Sequence, residues 1–353
     1  MKLAIRLIPL LVFVLPAACN LPQAEPLQFE RPEILQFIRL AGTALPPGVT
    51  PPAPARVDLV DSMLANVSAQ NLIANVEILS SLYSRHVNSP TIIQAADVVF
   101  SGFQAGGGRL IVAYQDFELE YEGFRTIQRN VIARLPGSDP NAGVIVIGAH
   151  YDSRAADLND AAVRAPGADD NATGVAALIE MARLLADETP VASIDFVAFA
   201  AEEIGTVGSS YYLQTALTRG EIIRGVIILD MIGNAGGEAG QGTLRAFSTP
   251  PDTSVSRQLA RWVSSVAPVY TPGFQVRVEA TLDRAGRYSD HFPFTKQGIP
   301  AIRLIELLED SSRQHTSDDL SQFVDQDYLR QVTQLALAVV INLAFGYELP
   351  TLK

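Results

Sequence analysis

The sequence predicts an α/β fold: a single domain whose mostly parallel, mixed sheet is covered by helices on both faces. Two observations carry this. Runs such as "GVIVIGAH" (143–150), "SIDFVAFA" (193–200) and "GVIILDMIG" (225–233) are apolar without alternation, as strands buried on both faces must be. Between them lie amphipathic stretches with helical spacing, the crossover length that parallel strands require. No linker-like composition interrupts the chain after residue 57, and no internal repeat is visible.

From the N-terminus, "MKLAIRLIPLLVFVLPAAC" (1–19) combines Lys2 and Arg6, an apolar stretch from Leu7 to Leu15, and the small residues Ala17 and Ala18. The apolar stretch is too short to span a bilayer, so it reads as a secretory signal. Cys19, the only cysteine, follows the small residues and resembles the lipidated residue of a bacterial lipoprotein, although Pro16 stands where leucine is usual. The expectation is export, with a lipid anchor on Cys19 at the outer face of a bacterial membrane, or else secretion. One cysteine also rules out an intramolecular disulfide. Residues 20–56 carry Pro22, Pro26, Pro32, Pro46, Pro47, Pro51, Pro52 and Pro54, a density that suits a tether with at most one short helix.

The domain expected over 57–353 begins with helices over 69–85 and 91–105. Strands follow over 109–119, 128–135 and 143–150, then a helix over 174–188 and a strand over 193–200. A helix over 208–220 and a strand over 225–233 come next. A helix over 255–267, a strand over 300–306 and a final helix over 326–346 complete the order. The formal charge of −12, with no basic block, excludes nucleic acid as a partner.

Ligands of open α/β sheets bind at the carboxyl ends of the strands, and unusual residues collect there. "VIVIGAHYDS" delivers His150 and Asp152, a spacing at which the aspartate can fix the imidazole tautomer. "APGADDNATGVAALIE" pairs Asp169 and Asp170 ahead of a helix; helix capping accounts for one of them and poorly for both. "FVAFAAEEIG" ends an apolar run in Glu202 and Glu203, which repel each other unless something compensates them. "VIILDMIGN" delivers Asp230, and "RQHTSDDLSQF" places His315 before the last helix. Singly, each fits a solvated loop or a cap. Together they form a set of imidazoles and carboxylates without thiolate, suited to zinc, with cobalt or manganese as substitutes.

In order and spacing, "GAHYDS", "GADDNATG", "AEEIG", "LDMIGN", "YSDHFPF" and "HTSDD" resemble the co-catalytic dizinc aminopeptidases typified by secreted bacterial leucyl aminopeptidases, over roughly Leu72 to Gly346. Glutamate carboxypeptidases and glutaminyl cyclases are relatives in that family, whose fold is of the zinc-exopeptidase type. The resemblance implies two Zn2+ ions bridged by Asp169, one completed by His150 and Asp230, the other by Glu203 and His315. It implies Glu202 as general base, acting on a hydroxide shared by the ions, and Asp152 as the partner of His150. Three such carboxylates and two divalent cations leave one positive charge, which the hydroxide neutralises. It also implies a cis peptide bond at Asp169–Asp170.

A peptide substrate with a free α-amino group, and hence an aminopeptidase, follows from that resemblance. Some relatives carry a tyrosine just before the last histidine ligand; here it is Gln314. Arg287 and Tyr288 are candidate substrate contacts, while His291 and His86 read as structural. The loops around 236–242 and 280–288 are expected to shape the specificity pocket. Competing readings are a glutaminyl cyclase-type acyltransferase, a carboxypeptidase or amidohydrolase on the same site, and a metal-free binding module. The desuccinylase-type amidohydrolases insert a lid domain between the glutamate pair and the last histidine. Much of the 112 positions from Glu203 to His315 is needed for the core itself, which leaves no room for that lid.

Overall fold

The structure, a computed structural model, describes residue 54 and residues 57–283 and 287–346. The signal segment expected at 1–19, Cys19 and all of the tether but Pro54 lie outside the described residues. Among these residues no helix is long and apolar enough to cross a membrane.

Three helices come first: α1 (Asp58–Ala65), α2 (Ala69–Ser81) and α3 (Thr91–Gly106). Ser68 caps α2 by accepting the Asn71 N–H, one of the donors a helix start leaves without a partner. A hairpin of β1 (Ile111–Tyr121) and β2 (Phe124–Leu135) leads to β3 (Val144–His150), α4 (Thr173–Leu185) and β4 (Ser193–Phe199). Then come α5 (Val207–Thr218), β5 (Ile223–Leu229), β6 (Thr243–Ser248), α6 (Val255–Tyr270) and β7 (Gln275–Val278). The chain continues through α7 (Phe292–Lys296) and β8 (Ala301–Glu306) to α8 (Gln326–Ala344), which Asp325 caps.

The eight strands form one sheet in the order β1-β2-β4-β3-β5-β8-β6-β7. The central four, β4, β3, β5 and β8, run parallel, and the β1–β2 hairpin is antiparallel to β4 at one edge. At the other edge β6 is antiparallel to β8 and β7 parallel to β6. Side chains of the central strands alternate between two cores. Ile145, Ile147, Ile194, Phe196, Ile227, Leu229, Ile302 and Leu304 join the larger core under α4 and α8. Val144, Val146, Val197, Phe199, Val226 and Ile228 pack on the opposite face with Tyr212 and Leu213 of α5 and Phe294 of α7. Apolar residues at both parities are what a sheet covered on both faces requires.

Three expectations are corrected. Short α1, β6, β7 and α7 were not legible; β7 is a four-residue edge strand, half exposed and alternating. The α2 helix stops at Ser81 rather than 85, because the chain turns to bury Arg85 among the carbonyls of Leu79, Tyr151 and Gly167. The β5 strand stops at Leu229 rather than 233: backbone bonds to β8 continue from the Asp230 N–H and to the Met231 carbonyl, and Met231, in the left-handed region (φ 58°), then turns the chain away from the sheet.

Candidate metal centre

Because β4, β3, β5 and β8 are parallel, their carboxyl ends open on one rim. His150 is the last residue of β3, paired with Phe199 of β4. Glu202 and Glu203 follow β4, and Asp230 follows β5, its N–H donating to the Leu304 carbonyl of β8 at 3.1 Å. His315 arrives in the loop between β8 and α8. Three of these turns need left-handed backbone without glycine: Ala201 (φ 59°) before the glutamates, Met231 after Asp230, and His315 itself (φ 60°). Such conformations cost about 1–3 kcal/mol each and persist where surrounding structure over-determines them.

Two groups of donors result. Ligand atoms of His150, Asp170 and Asp230 lie within 4.8 Å of one another, as do those of Asp170, Glu203 and His315. Asp170 belongs to both. One of its oxygens is 3.3 Å from His150 Nε2 and the other 3.1 Å from His315 Nε2. Asp230 Oδ1 is 3.5 Å from His150 Nε2, and Glu203 Oε1 is 3.3 Å from His315 Nε2.

The residue common to both donor groups is therefore Asp170, one position beyond the expected Asp169, which belongs to neither. Gly167, at φ 55°, starts a turn over Ala168–Ala172 in which Asp170 and Asn171 are non-helical, and neighbouring side chains point apart. The Asp169 carboxylate accepts the Gly233 N–H at 2.8 Å and meets buried Glu306. Burial, then the Asp319 charge, push it up to about 8. The cis peptide bond is likewise one residue further on, at Asp170–Asn171.

Several side chains hold this arrangement. Asp319 accepts the N–H groups of Asp169 and Asp170 at 2.8 and 3.1 Å, fastening the His315 loop to the turn that presents Asp170. Asn171 donates to Leu229 O and accepts from Gly174 and Met231, tying that turn to the end of β5. Gly174 is required there: a Cβ would lie 2.7 Å from Leu229 O and 2.9 Å from the Ala149 side chain. Asn130 on β2 donates to Gly208 O and accepts from Ala200 N, pinning the segment that carries the glutamates.

Asp152 sits beside His150, its Oδ1 3.6 Å and its carbonyl 3.1 Å from Nδ1, and accepts the N–H groups of Glu202 and Glu203 at 3.1 Å each. Each carboxylate belonging to a single group also meets an arginine. Arg154 Nε donates to Glu203 Oε2 at 2.8 Å, and Arg303 Nε lies 3.1 Å from Asp230 Oδ2. Neither arginine, nor Asp319, was singled out from sequence. The arginine in "PAIRLIE" is the visible signal, a positive charge inside a fully buried strand.

Gln314, in the tyrosine position of some relatives, donates to Asp170 Oδ2 at 2.8 Å, and Arg287 donates to its Oε1 at 2.9 Å. Arg287 thus reaches the centre through Gln314. The Tyr288 ring instead stacks on Phe292, centroids 4.3 Å apart. His291 and His86 are buried outside both groups.

The electrostatics fit cations. Burial alone would raise the Asp170 carboxyl, yet His150 and His315 hold it well below the usual range. Burial likewise opposes charge on the imidazoles, yet their acids carry His150 well above its ordinary value and His315 up to about 9. Glu203 Oε1 is buried without a hydrogen-bond partner. Without a metal ion, Asp170 is balanced by imidazolium alone, and Glu203 and Asp230 by imidazolium together with Arg154 and Arg303. Donors of two imidazoles and three carboxylates, one of them shared, suit two zinc ions, each with three protein ligands and room for a further one.

Comparisons with known proteins agree. A probable zinc metalloprotease of Pyrenophora teres f. teres is 32% identical over 83% of this chain and 70% of its own. Leucine aminopeptidase 1 of Trichophyton equinum is 28% identical over 86% of this chain and 82% of its own. The fold matches the Legionella pneumophila LapA aminopeptidase with a TM-score of 0.71, at 24% identity, over 85% of this chain and 78% of that one. The profile of peptidase family M28 matches residues 130–340, from Asn130 behind the glutamate turn through every donor described above; the chain belongs to peptidase family M28.

Proposed function

We propose that the protein is a zinc aminopeptidase that removes N-terminal residues from peptides, with His150, Asp170 and Asp230 holding one ion and Asp170, Glu203 and His315 the other. One observation carries this reading: Asp170 stands between two imidazoles with a separate carboxylate on each side. Membership of a metallopeptidase family and resemblance to a leucine aminopeptidase support it. Bound zinc supplies Lewis acidity and lowers the pKa of water.

The chain's own residues then divide the remaining work. Glu202 belongs to neither donor group and is free to move a proton. Burial, with Asp230, Glu203 and Asp290 nearby and His150 opposing, pushes its carboxyl well above the usual range, toward what a general base needs near neutrality. It takes the proton of the attacking water and returns it to the departing amine. Asp152 orients His150 and holds the backbone of both glutamates, so one carboxylate fixes base and ligand together.

Hydrolysis of a panel of aminoacyl-p-nitroanilides, with metal content measured on the same samples, tests the reading. Two ions per chain, anilide hydrolysis, and activity about 10²- to 10⁴-fold lower in Glu202→Gln with both ions retained are expected. One ion with cyclisation of N-terminal glutamine and no anilide hydrolysis would replace the aminopeptidase with an acyltransferase.

Residues 1–19 support export and lipidation of Cys19 as a second proposal. Incorporation of radiolabelled fatty acid into the full chain, lost in Cys19→Ser, is the expected result; a wild-type chain released soluble and unlabelled would end it.

A further inference from the structure

The two carboxylates that serve only one donor group each share a feature. Asp230 turns Oδ1 toward His150 Nε2, while Arg303 Nε lies 3.1 Å from its Oδ2. Glu203 turns Oε1 toward His315 Nε2, while Arg154 Nε donates to its Oε2 at 2.8 Å. On the two sides of the centre, one oxygen faces the donor group and the other faces a guanidinium.

Neither arginine is a casual neighbour. Arg303 is buried on β8, opposite Ile228 of β5, and its Nη1 lies 2.8 Å from buried Asp283. Arg154 follows the strand end that carries His150 and Asp152, and its Nη1 donates to the Ala155 carbonyl at 3.1 Å. Each guanidinium is thus held from behind, and its fork is rigid where a lysine's point charge would not be.

Resting on the reading of these residues as zinc ligands, we propose that Arg154 and Arg303 are positioning residues that restrict Glu203 and Asp230 to one coordinating oxygen each. A carboxylate can bind a metal through one oxygen or two, and a second oxygen would fill the position a substrate needs. An arginine on the outer oxygen blocks that alternative and adds positive charge beside the ion. The arginines therefore favour an open coordination sphere over maximal metal affinity.

Cobalt-substituted full-length protein distinguishes this from a purely structural role, since the visible absorption of Co2+ weakens as its coordination number rises. In Arg154→Gln, and separately in Arg303→Lys, the cobalt band should lose intensity at one of the two sites. Metal should be held as tightly as in the wild type or more so, and kcat/KM should fall about 10- to 100-fold. Arg154 is partly exposed, so its variant remains informative if the Arg303 variant fails to fold. Two ions with an unchanged cobalt spectrum in a folded variant, or loss of metal with an unchanged spectrum from the fraction retained, would overturn the proposal. A wild-type chain that binds no cobalt would overturn the zinc-site reading and the clamp together.

Discussion

The Asp152 carboxylate accepts the backbone N–H groups of Glu202 and Glu203, one on each oxygen at 3.1 Å, while its Oδ1 stands 3.6 Å from His150 Nδ1. One buried side chain thus ties a candidate ligand on β3 to the ligand and base that follow β4. In Asp152→Asn the amide can accept only one of the two N–H groups and turns a donor toward the other. Activity should fall by about 10- to 100-fold with the fold retained, as kcat/KM and the thermal midpoint of variant and wild type would show. Full activity in a folded Asp152→Asn variant would mean that the two N–H groups do not need this carboxylate.

The adjacent acids of "GADDNATG" make a second prediction, because only Asp170 faces both histidines. Asp170→Asn should lose both ions, measured by metal analysis after dialysis, and with them activity. Asp169→Asn should keep both, since burial already raises that carboxyl to about 8 and its contacts are Gly233 and Glu306. Metal loss from the Asp169 variant alone would return the shared role to the residue first expected.

That contrast marks how far the sequence could be read. His150, Glu202, Glu203 and Asp230 were legible because each follows or ends an apolar run, and loops and caps that explain them one by one do not explain the set together. The choice between Asp169 and Asp170 was not, because it depends on two non-helical residues inside one turn. The four central strands were legible from composition alone. The order in which they lie was not, because β4 crosses to sit between β2 and β3, and nothing in the run "SIDFVAFA" names its neighbours. Arg154 and Asp319 act through contacts with residues 49 and 150 positions away, beyond the reach of local pattern.

Arg85 provides a stability test behind the donor groups. Its fully buried guanidinium donates to the carbonyls of Tyr151, Leu79, Pro166 and Gly167, and burial lowers its pKa to about 10. Those carbonyls border the His150 strand and the turn that presents Asp170. Arg85→Met removes four donors at once and leaves the charge of Asp319 less compensated. A loss of about 3–5 kcal/mol is expected in denaturant unfolding, with an unchanged m-value. A loss below about 1 kcal/mol would mean that water replaces the guanidinium.

His291 predicts how stability responds to acid. Its ring is buried with Nδ1 lacking a hydrogen-bond partner and Nε2 3.3 Å from Leu282 O. Burial lowers its pKa from 6.5 to about 4, with Arg303 adding to the effect and Asp283 and Asp230 opposing it. A histidine whose folded pKa lies below its unfolded one contributes full stability above pH 6.5. Between about 6.5 and 4 the unfolded chain binds the extra proton, so this contribution is lost as pH falls, by about 3 kcal/mol in all. Neighbouring Asp290 works in the opposite direction, since burial raises its pKa to about 7 and its contribution is lost as pH rises toward that value. The wild-type slope mixes the two, so the informative quantity is the difference between wild type and His291→Gln. Unfolding free energies measured across pH 4 to 7 at fixed zinc should diverge, with the variant losing less stability on acidification. Parallel curves would show that His291 takes up its proton without opening the core, and that the acid sensitivity of the fold lies in its carboxylates.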